Sequence, residues 1–201
     1  MKEAIVISVP SNHPLQLYHY IEQELNLPNF KVKIVKTEHG VMAGIEWAIP
    51  TAIVAYLLKP FFEAFLQEAG KDFYELTKSN LKKFVLTNRA LKYKYIAAST
   101  SPEKLSKKYD QSVTVSLKAK VHPNILVTVL IDEDIAEEEA NQMLESMFGI
   151  LGEIYHEFKK QEEIDGPVRS SQQKEVYLVA NISTKKWEIL TFQQMSERYR
   201  N

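Results

Sequence analysis

The stretch WAIPTAIVAYLLKPFFEAFL, Trp47 to Leu66, decides the fold. It is an almost unbroken apolar run with only Lys59 and Glu63 as charged residues inside it. A polar or small residue recurs every four positions, which places these residues on one edge of a helix and leaves the other sides apolar. They are Thr51, Ala55, Lys59, Glu63 and Gln67. The spacing predicts a helix buried on most sides, with a kink or a break at Pro60.

The residues after this run predict a second helix packed against the first. Gly70 is suited to end a helix, and Asp72 with Glu75 has the spacing of a capping box. The sequence therefore predicts a helical hairpin, in which Trp47 to Ala69 packs against Asp72 to about Asn88.

The N-terminal part has the pattern of a strand, a helix and a second strand. Ala4 to Val9 is a β-branched run ended by Pro10, and Val32 to Thr37 alternates apolar and polar residues. Between them, one apolar stripe at helical spacing is formed by Leu17, Tyr18, Ile21 and Leu25. This order predicts a βαβ element with parallel strands.

The C-terminal part predicts four strands and one long helix. Val113 to Val121 and Ile125 to Ile131 have strand patterns, and a long acidic helix should run from Asp134 or Glu133 to about Gln161. Val176 to Ile182 and Trp187 to Phe192 predict a second hairpin. The order ββαββ predicts an antiparallel sheet with the helix across one face.

These elements together predict an α+β protein whose parts share one core. The expected organisation is a βαβ element plus helical hairpin over residues 1–97, a linker over 98–109, and the ββαββ unit over 110–201. The linker assignment rests on the Ser-, Lys- and Pro-rich composition of that segment.

Composition excludes several kinds of chemistry. The chain of 201 residues has no cysteine, so disulfides, thiolate metal sites and cysteine nucleophiles are ruled out. Hydrophobic content of 45% and charged content of 25% are typical of globular proteins, and the net charge of −1 indicates no gross attraction to nucleic acid. The apolar run at the N-terminus is too short for a signal peptide, which predicts a cytoplasmic protein, with membrane association as the open alternative.

The charge is unevenly distributed along the chain. Lys71 to Lys108 holds ten Lys or Arg against three Asp or Glu, a net of +7, whereas Asp132 to Glu163 holds eleven acidic residues against two lysines, a net of −9. Two interpretations are open. The charges are solvated helix faces that partly neutralise each other, or they form a basic surface aimed at phosphates or anionic lipid.

No motif for catalysis, cofactor binding or metal binding stands out. Glu153 and His156 have E-x-x-H spacing, but a metal site needs three or four ligands and no second such motif exists. His13, His39 and His122 fall in predicted turns without a Ser, Cys or Asp at a motif spacing. We therefore predict no catalytic, cofactor-binding or metal-binding residues. An enzyme that uses Glu153, His156 or the basic helix remains a third hypothesis.

Two segments resemble a group of uncharacterised bacterial proteins: KPFFEAFLQEAGKDFYELTK, Lys59 to Lys78, and the later hairpin VYLVANISTKKWEIL. The layout of the N-terminal part is also similar to small effector-associated regulatory modules of bacterial conflict systems. Their glycine–methionine signature has a counterpart in HGVMAG, His39 to Gly44. The resemblance implies a bacterial regulatory protein of a defence or effector system.

The expected function is a non-enzymatic protein-interaction or regulatory module that uses the apolar hairpin to contact a protein partner or a second copy. The alternative is a component that binds or inserts into a membrane through the same hairpin, while nucleic acid is a disfavoured partner. The candidate contact residues are Trp47, Tyr56, Phe61, Phe62, Phe65, Lys78, Lys82 and Arg89.

Overall fold

The described residues form one mixed sheet with helices packed on it. The computed structural model describes residues 2–11, 15–25, 30–37, 53–65, 71–89, 115–130, 135–165, 174–181 and 183–200. The strands are β1 (Lys2–Pro10), β2 (Phe30–Thr37), β3 (Ile53–Leu57), β4 (Val115–His122), β5 (Ile125–Leu130), β6 (Lys174–Asn181) and β7 (Lys186–Thr191). The helices are α1 (His19–Leu25), preceded by a 3-10 turn (Leu15–Tyr18), α2 (Lys59–Phe65), α3 (Lys71–Arg89), α4 (Glu137–Asp165) and α5 (Phe192–Arg200).

The seven strands lie in the order β2-β1-β3-β4-β5-β6-β7. β1/β2, β3/β4 and β5/β6 are parallel pairs. These pairs are joined by antiparallel pairing of β1 with β3 and of β4 with β5. In the sequence, helices lie between the two strands of each parallel pair, as parallel pairing requires. The predicted α+β class and the N-terminal βαβ element are confirmed. The prediction of a purely antiparallel C-terminal sheet is wrong, because β5 and β6 are parallel.

The apolar run was predicted to be one helix, but the first part of it that the structure describes is a strand. Ile53–Leu57 is β3, and a helix begins only at Lys59. Ala55 lies opposite Ile7 of β1 on one side and opposite Leu117 of β4 on the other. Successive side chains of a strand point to opposite faces of the sheet, and Ile53, Val54, Ala55 and Leu57 of β3 are all buried. The sequence of β3 is therefore continuously apolar and lacks the alternation of a strand with one exposed face.

Pro60 marks the change from strand to helix. The Leu58 N–H donates to the Ala4 carbonyl at 2.9 Å, and the Phe61 N–H donates to the Leu58 carbonyl at 2.9 Å. Pro60 therefore stands in the first turn of α2, where a missing N–H costs no hydrogen bond. The predicted hairpin survives in shortened form as α2 and α3, whose rings Phe61 and Tyr74 lie 5.9 Å apart between centroids.

One core lies between the sheet and α1, α2, α3 and α4. Tyr18 of the 3-10 turn contacts Phe84 of α3 edge to face at 5.7 Å, and Phe61 lies 6.3 Å from Phe148 of α4. Residues from both predicted domains belong to this core, and β3 of the first pairs with β4 of the second. The predicted linker, 98–109, lies outside the described residues.

A second, smaller cluster holds α5, which the sequence did not predict. Met195 of α5 is completely buried beside Leu130, Tyr177 and Val179. Along β5 and β6, these three residues alternate with residues that belong to the main core, so they point to the other face of the sheet. α5 therefore packs on the opposite face of the sheet from α4.

Phe62 anchors α2 in the core, so we predict that Phe62→Ala destabilises the fold by ~3–5 kcal/mol. Phe62 is 1% exposed and stacks on Tyr155 at 5.1 Å between centroids. Urea denaturation followed by circular dichroism measures the change. Leu76→Ala, at a position that is 44% exposed on α3, is the control, with an expected change within about 0.5 kcal/mol. Equal destabilisation by the two variants would contradict the assigned core.

Candidate functional site

A cavity of about 550 Å³ lies at one end of the sheet. We call it the sheet-end pocket. Its walls are residues 58–60 where β3 passes into α2, residues 120–123 at the end of β4, Tyr155, Lys159 and Glu163 of α4, and Glu3 of β1. β3 and β4 run parallel, so their carboxyl ends meet at this edge. Ligands in open α/β sheets commonly bind outside the carboxyl ends of strands.

The inner part of the pocket is apolar and rigidly supported. Tyr155 is 4% exposed and Val121 is 2% exposed. The Tyr155 ring stacks on Phe62 with an angle of 18° between the planes. Because Phe62 is itself a core residue, the inner wall is held by the packing of the whole domain.

His122 lines the pocket at the turn that joins β4 to β5. Its Nδ1 accepts a hydrogen bond from the Asn124 backbone N–H at 3.2 Å, and its ring lies 5.7 Å from that of Phe158. A neutral imidazole has one acceptor nitrogen and carries its proton on the other. The turn thus fixes His122 with its proton on Nε2 and uses its acceptor nitrogen.

The rim carries three lysines and two glutamates: Lys59, Lys120, Lys159, Glu3 and Glu163. Two of them have partners outside the pocket, since Lys59 lies 3.7 Å from Glu63 and Glu3 lies 3.0 Å from Lys33. Within the described part of the chain, Lys120, Lys159 and Glu163 make no ion pair. Among the described residues, the pocket therefore presents two ammonium groups that make no ion pair, one on β4 and one on α4.

Lys78 and Lys82, two of the basic residues selected from the sequence, lie on α3 and face α4. Lys78 and Lys82 are only 12% and 18% exposed, and both bind the carboxylate of Glu145. Lys78 also binds Glu75 at 2.7 Å, and Lys82 lies 2.6 Å from Glu145. These contacts favour, for this pair of helices, the interpretation that basic and acidic faces neutralise each other.

Hydrogen bonds from Lys78 and then Lys82 lower the pKa of the Glu145 carboxyl below its ordinary value of 4.5. The charged form of Glu145 is therefore preferred in the folded protein. Its contribution to stability is present above pH 4.5 and is lost as the pH falls through the lowered value.

The candidate contact residues do not come together on one exposed surface. Phe61 and Phe62 are each 1% exposed, and Tyr56 is half-buried on β3. Trp47 lies outside the described residues, as do the side chains of Phe65 and Arg89. The hairpin aromatics that the structure describes are therefore core residues.

The other sequence candidates are dispersed as well. Glu153 and His156 are exposed on α4, and no group of three His, Cys, Asp or Glu side chains in the described ranges is placed to hold a metal ion. His13 and His39 lie outside the described residues. In the parts of the chain that the structure covers, no helix combines the length and apolar content that crossing a membrane requires.

No sequence motif predicts the sheet-end pocket. The signals were present but weak: Lys120 and His122 lie at the carboxyl end of the alternating strand β4, and Tyr155, Lys159 and Glu163 recur at i,i+4 on one helix face. Only the packing of α4 against β4 brings the two groups together.

Comparison with known proteins adds no assignment. No protein-family model, curated protein or solved structure matches the chain.

We predict that Glu145→Gln lowers the free energy of unfolding at pH 7 by roughly 0.5–1 kcal/mol. The Glu145 side chain is 47% exposed, so solvent weakens its ion pairs. The difference from the wild-type protein should shrink as the pH falls below 4.5, where the wild-type carboxyl becomes protonated. Urea titrations across pH measure this. Glu157→Gln, an exposed position on the same helix, is the control, and a pH-independent effect of Glu145→Gln would contradict the ion network.

Proposed function

We propose that this protein is a non-enzymatic binding module that holds a small molecule in the sheet-end pocket. One observation carries the proposal: a cavity of about 550 Å³ lies where the parallel strands β3 and β4 end. Small-molecule sites typically measure about 300–1,000 Å³ and occur at such positions. A regulatory use of this binding, which the resemblance to conflict-system modules implies, stays a prediction.

The way the walls are built supports binding. Lys120 and Val121 belong to β4, and Tyr155 and Lys159 to α4, so most of the pocket stands on regular secondary structure. A preformed site loses less conformational entropy when a ligand binds than a site that must first be ordered.

The state of His122 also supports binding over proton transfer. The acceptor nitrogen of the ring is occupied by the backbone N–H of Asn124. A general base needs a lone pair directed at its substrate. In this arrangement the Nδ1 lone pair is used inside the turn and is not directed at a ligand.

The proposal predicts that the wild-type protein binds N-phenylnaphthylamine, a neutral fluorescent probe with an aromatic body, and that Leu58→Trp weakens this binding by roughly tenfold or more. Leu58 lines the pocket, and a larger side chain fills space that the probe needs. Leu76→Trp, on the exposed side of α3, is the matched control and should bind like the wild-type protein. Thermal unfolding checks that both variants fold. Failure of the wild-type protein to bind the probe, or equal binding by all three proteins, would refute the proposal.

A second candidate function is self-association through β7. A second copy of the chain remains the predicted partner, but the contact surface is β7 and not the apolar hairpin. Among the described strands, β7 pairs with β6 alone and ends one edge of the sheet. Ile189 on β7 is 56% exposed and Phe192 next to it is 46% exposed. The opposite edge, β2, carries three lysines, the usual protection against edge pairing. Antiparallel pairing of β7 with the same strand of a second copy would cover the apolar residues of both chains.

This second candidate predicts a dimer at high micromolar concentration in static light scattering. Ile189→Lys should give a monomer, because it places a like charge on both sides of the new strand pair. Leu76→Lys, also at an exposed apolar position, should remain dimeric. A wild-type protein that stays monomeric would refute self-association and would leave the pocket proposal untouched.

A further inference from the structure

The arrangement of charge around the sheet-end pocket indicates what kind of molecule it takes. Lys120 and Lys159 come from different elements, β4 and α4, yet line the same cavity. Neither makes an ion pair within the described ranges. Two ammonium groups without an ion pair at one cavity favour an anionic ligand. A bound anion replaces water as their hydrogen-bond acceptor and forms stronger, charge-assisted hydrogen bonds with them.

The third lysine is available to the same ligand. Lys59 is 61% exposed, and its distance of 3.7 Å to Glu63 is longer than a direct hydrogen bond. A solvated pair on the helix surface contributes little to stability, so the Lys59 ammonium can turn toward a ligand at small cost.

The acidic residues offset this charge only in part. Glu3 is already bound to Lys33 at 3.0 Å, which leaves Glu163 as the one lining carboxylate that has no ion pair in the described part of the chain. The lysines and glutamates that line the pocket carry three positive and two negative charges. The local balance is positive in a protein whose net charge is −1.

The inner wall selects for a different property. Tyr155 and Val121 are almost fully buried, and Leu58 and Pro60 extend the apolar surface toward the opening. Burying apolar ligand surface there contributes about 25 cal/mol for each Å² removed from water. A simple inorganic anion would leave this wall uncovered.

We infer that the sheet-end pocket binds an amphipathic organic anion, with an apolar or aromatic body against Tyr155 and a carboxylate, sulfonate or phosphate between Lys120 and Lys159. The inference rests on the proposed binding function and adds the chemical class of the ligand. A carboxylate and a phosphate share the property that matters, a compact negative charge attached to an apolar body.

The test compares two probes with the same aromatic body. Anilinonaphthalene sulfonate carries a negative charge, and N-phenylnaphthylamine does not. The wild-type protein at low salt should bind the sulfonate roughly tenfold more tightly, which corresponds to about 1.4 kcal/mol of binding free energy. Lys120→Gln and Lys159→Gln should each weaken sulfonate binding roughly three- to tenfold and change binding of the neutral probe by less than about twofold.

Lys160→Gln is the matched control, because Lys160 is an exposed lysine one position further along α4 that does not line the pocket. It should change neither affinity. Inorganic phosphate should fail to displace the bound sulfonate at concentrations where naphthoate and naphthyl phosphate succeed, since it has no apolar body.

Each outcome has a distinct meaning. Equal affinity for the two probes would overturn the anion inference while the binding function stands. Loss of sulfonate affinity in Lys160→Gln to the same extent would also overturn it, because the charge would then act from the general surface. Displacement by inorganic phosphate alone would refute the amphipathic requirement. Failure of the wild-type protein to bind the neutral probe would refute the proposed function itself.

Discussion

Backbone hydrogen bonding on both sides of β3 is the interaction on which the rest of the structure depends. Ile53–Leu57 pairs with β1 on one side and with β4 on the other. Buried N–H and C=O groups must be paired, and a strand between two neighbours satisfies this requirement completely. This short segment thus joins the N-terminal strands to the C-terminal ones, and Ile53, Ala55 and Leu57, each completely buried, extend the core across that junction.

The pocket follows from the same constraint. Because β3 and β4 are parallel, the residues after β3 and the turn after β4 arrive at one edge of the sheet. α2 starts there and inserts Phe62, on which Tyr155 of α4 stacks. The lysines at the rim belong to elements whose positions are set by this packing, so the charge arrangement is a consequence of the fold.

Local patterns predicted the parts of the fold that local patterns control. The sequence predicted the alternation in β2 and β4 and the apolar stripe of α4. The order of β1, α1 and β2 along the chain predicted the βαβ element. β3 was not readable, because a short apolar run bounded by turns fits a buried strand and a buried helix equally well. The four-residue spacing from Thr51 to Gln67 favoured a helix. Of the described residues in this series, Lys59 and Glu63 belong to α2 and Ala55 belongs to β3.

The site was less predictable than the fold, because its members are distant in sequence. Nothing local indicates that Lys120 and Lys159 share a cavity, or that Lys82 meets Glu145, which is 63 positions further along the chain. Separation in sequence also explains why the hairpin was expected to contact another molecule. Its excess of large apolar residues favoured an external contact surface, whereas Phe61 and Phe62 pack against distant residues of the same chain. α5 was not predicted because it has one buried apolar residue, Met195, among its described residues, and Met195 packs on residues of β5 and β6 that are distant in sequence.

The most direct test is nuclear Overhauser spectroscopy of the backbone protons of Ile53–Leu57. A central strand predicts close contacts from the Ala55 backbone to Ile7 on one side and to Leu117 on the other, with no contacts between residues three positions apart. Contacts of the helical type between residues three and four positions apart in this segment, without those to β1 and β4, would contradict the assignment of β3. The sheet and the pocket at its end would then both have to be abandoned.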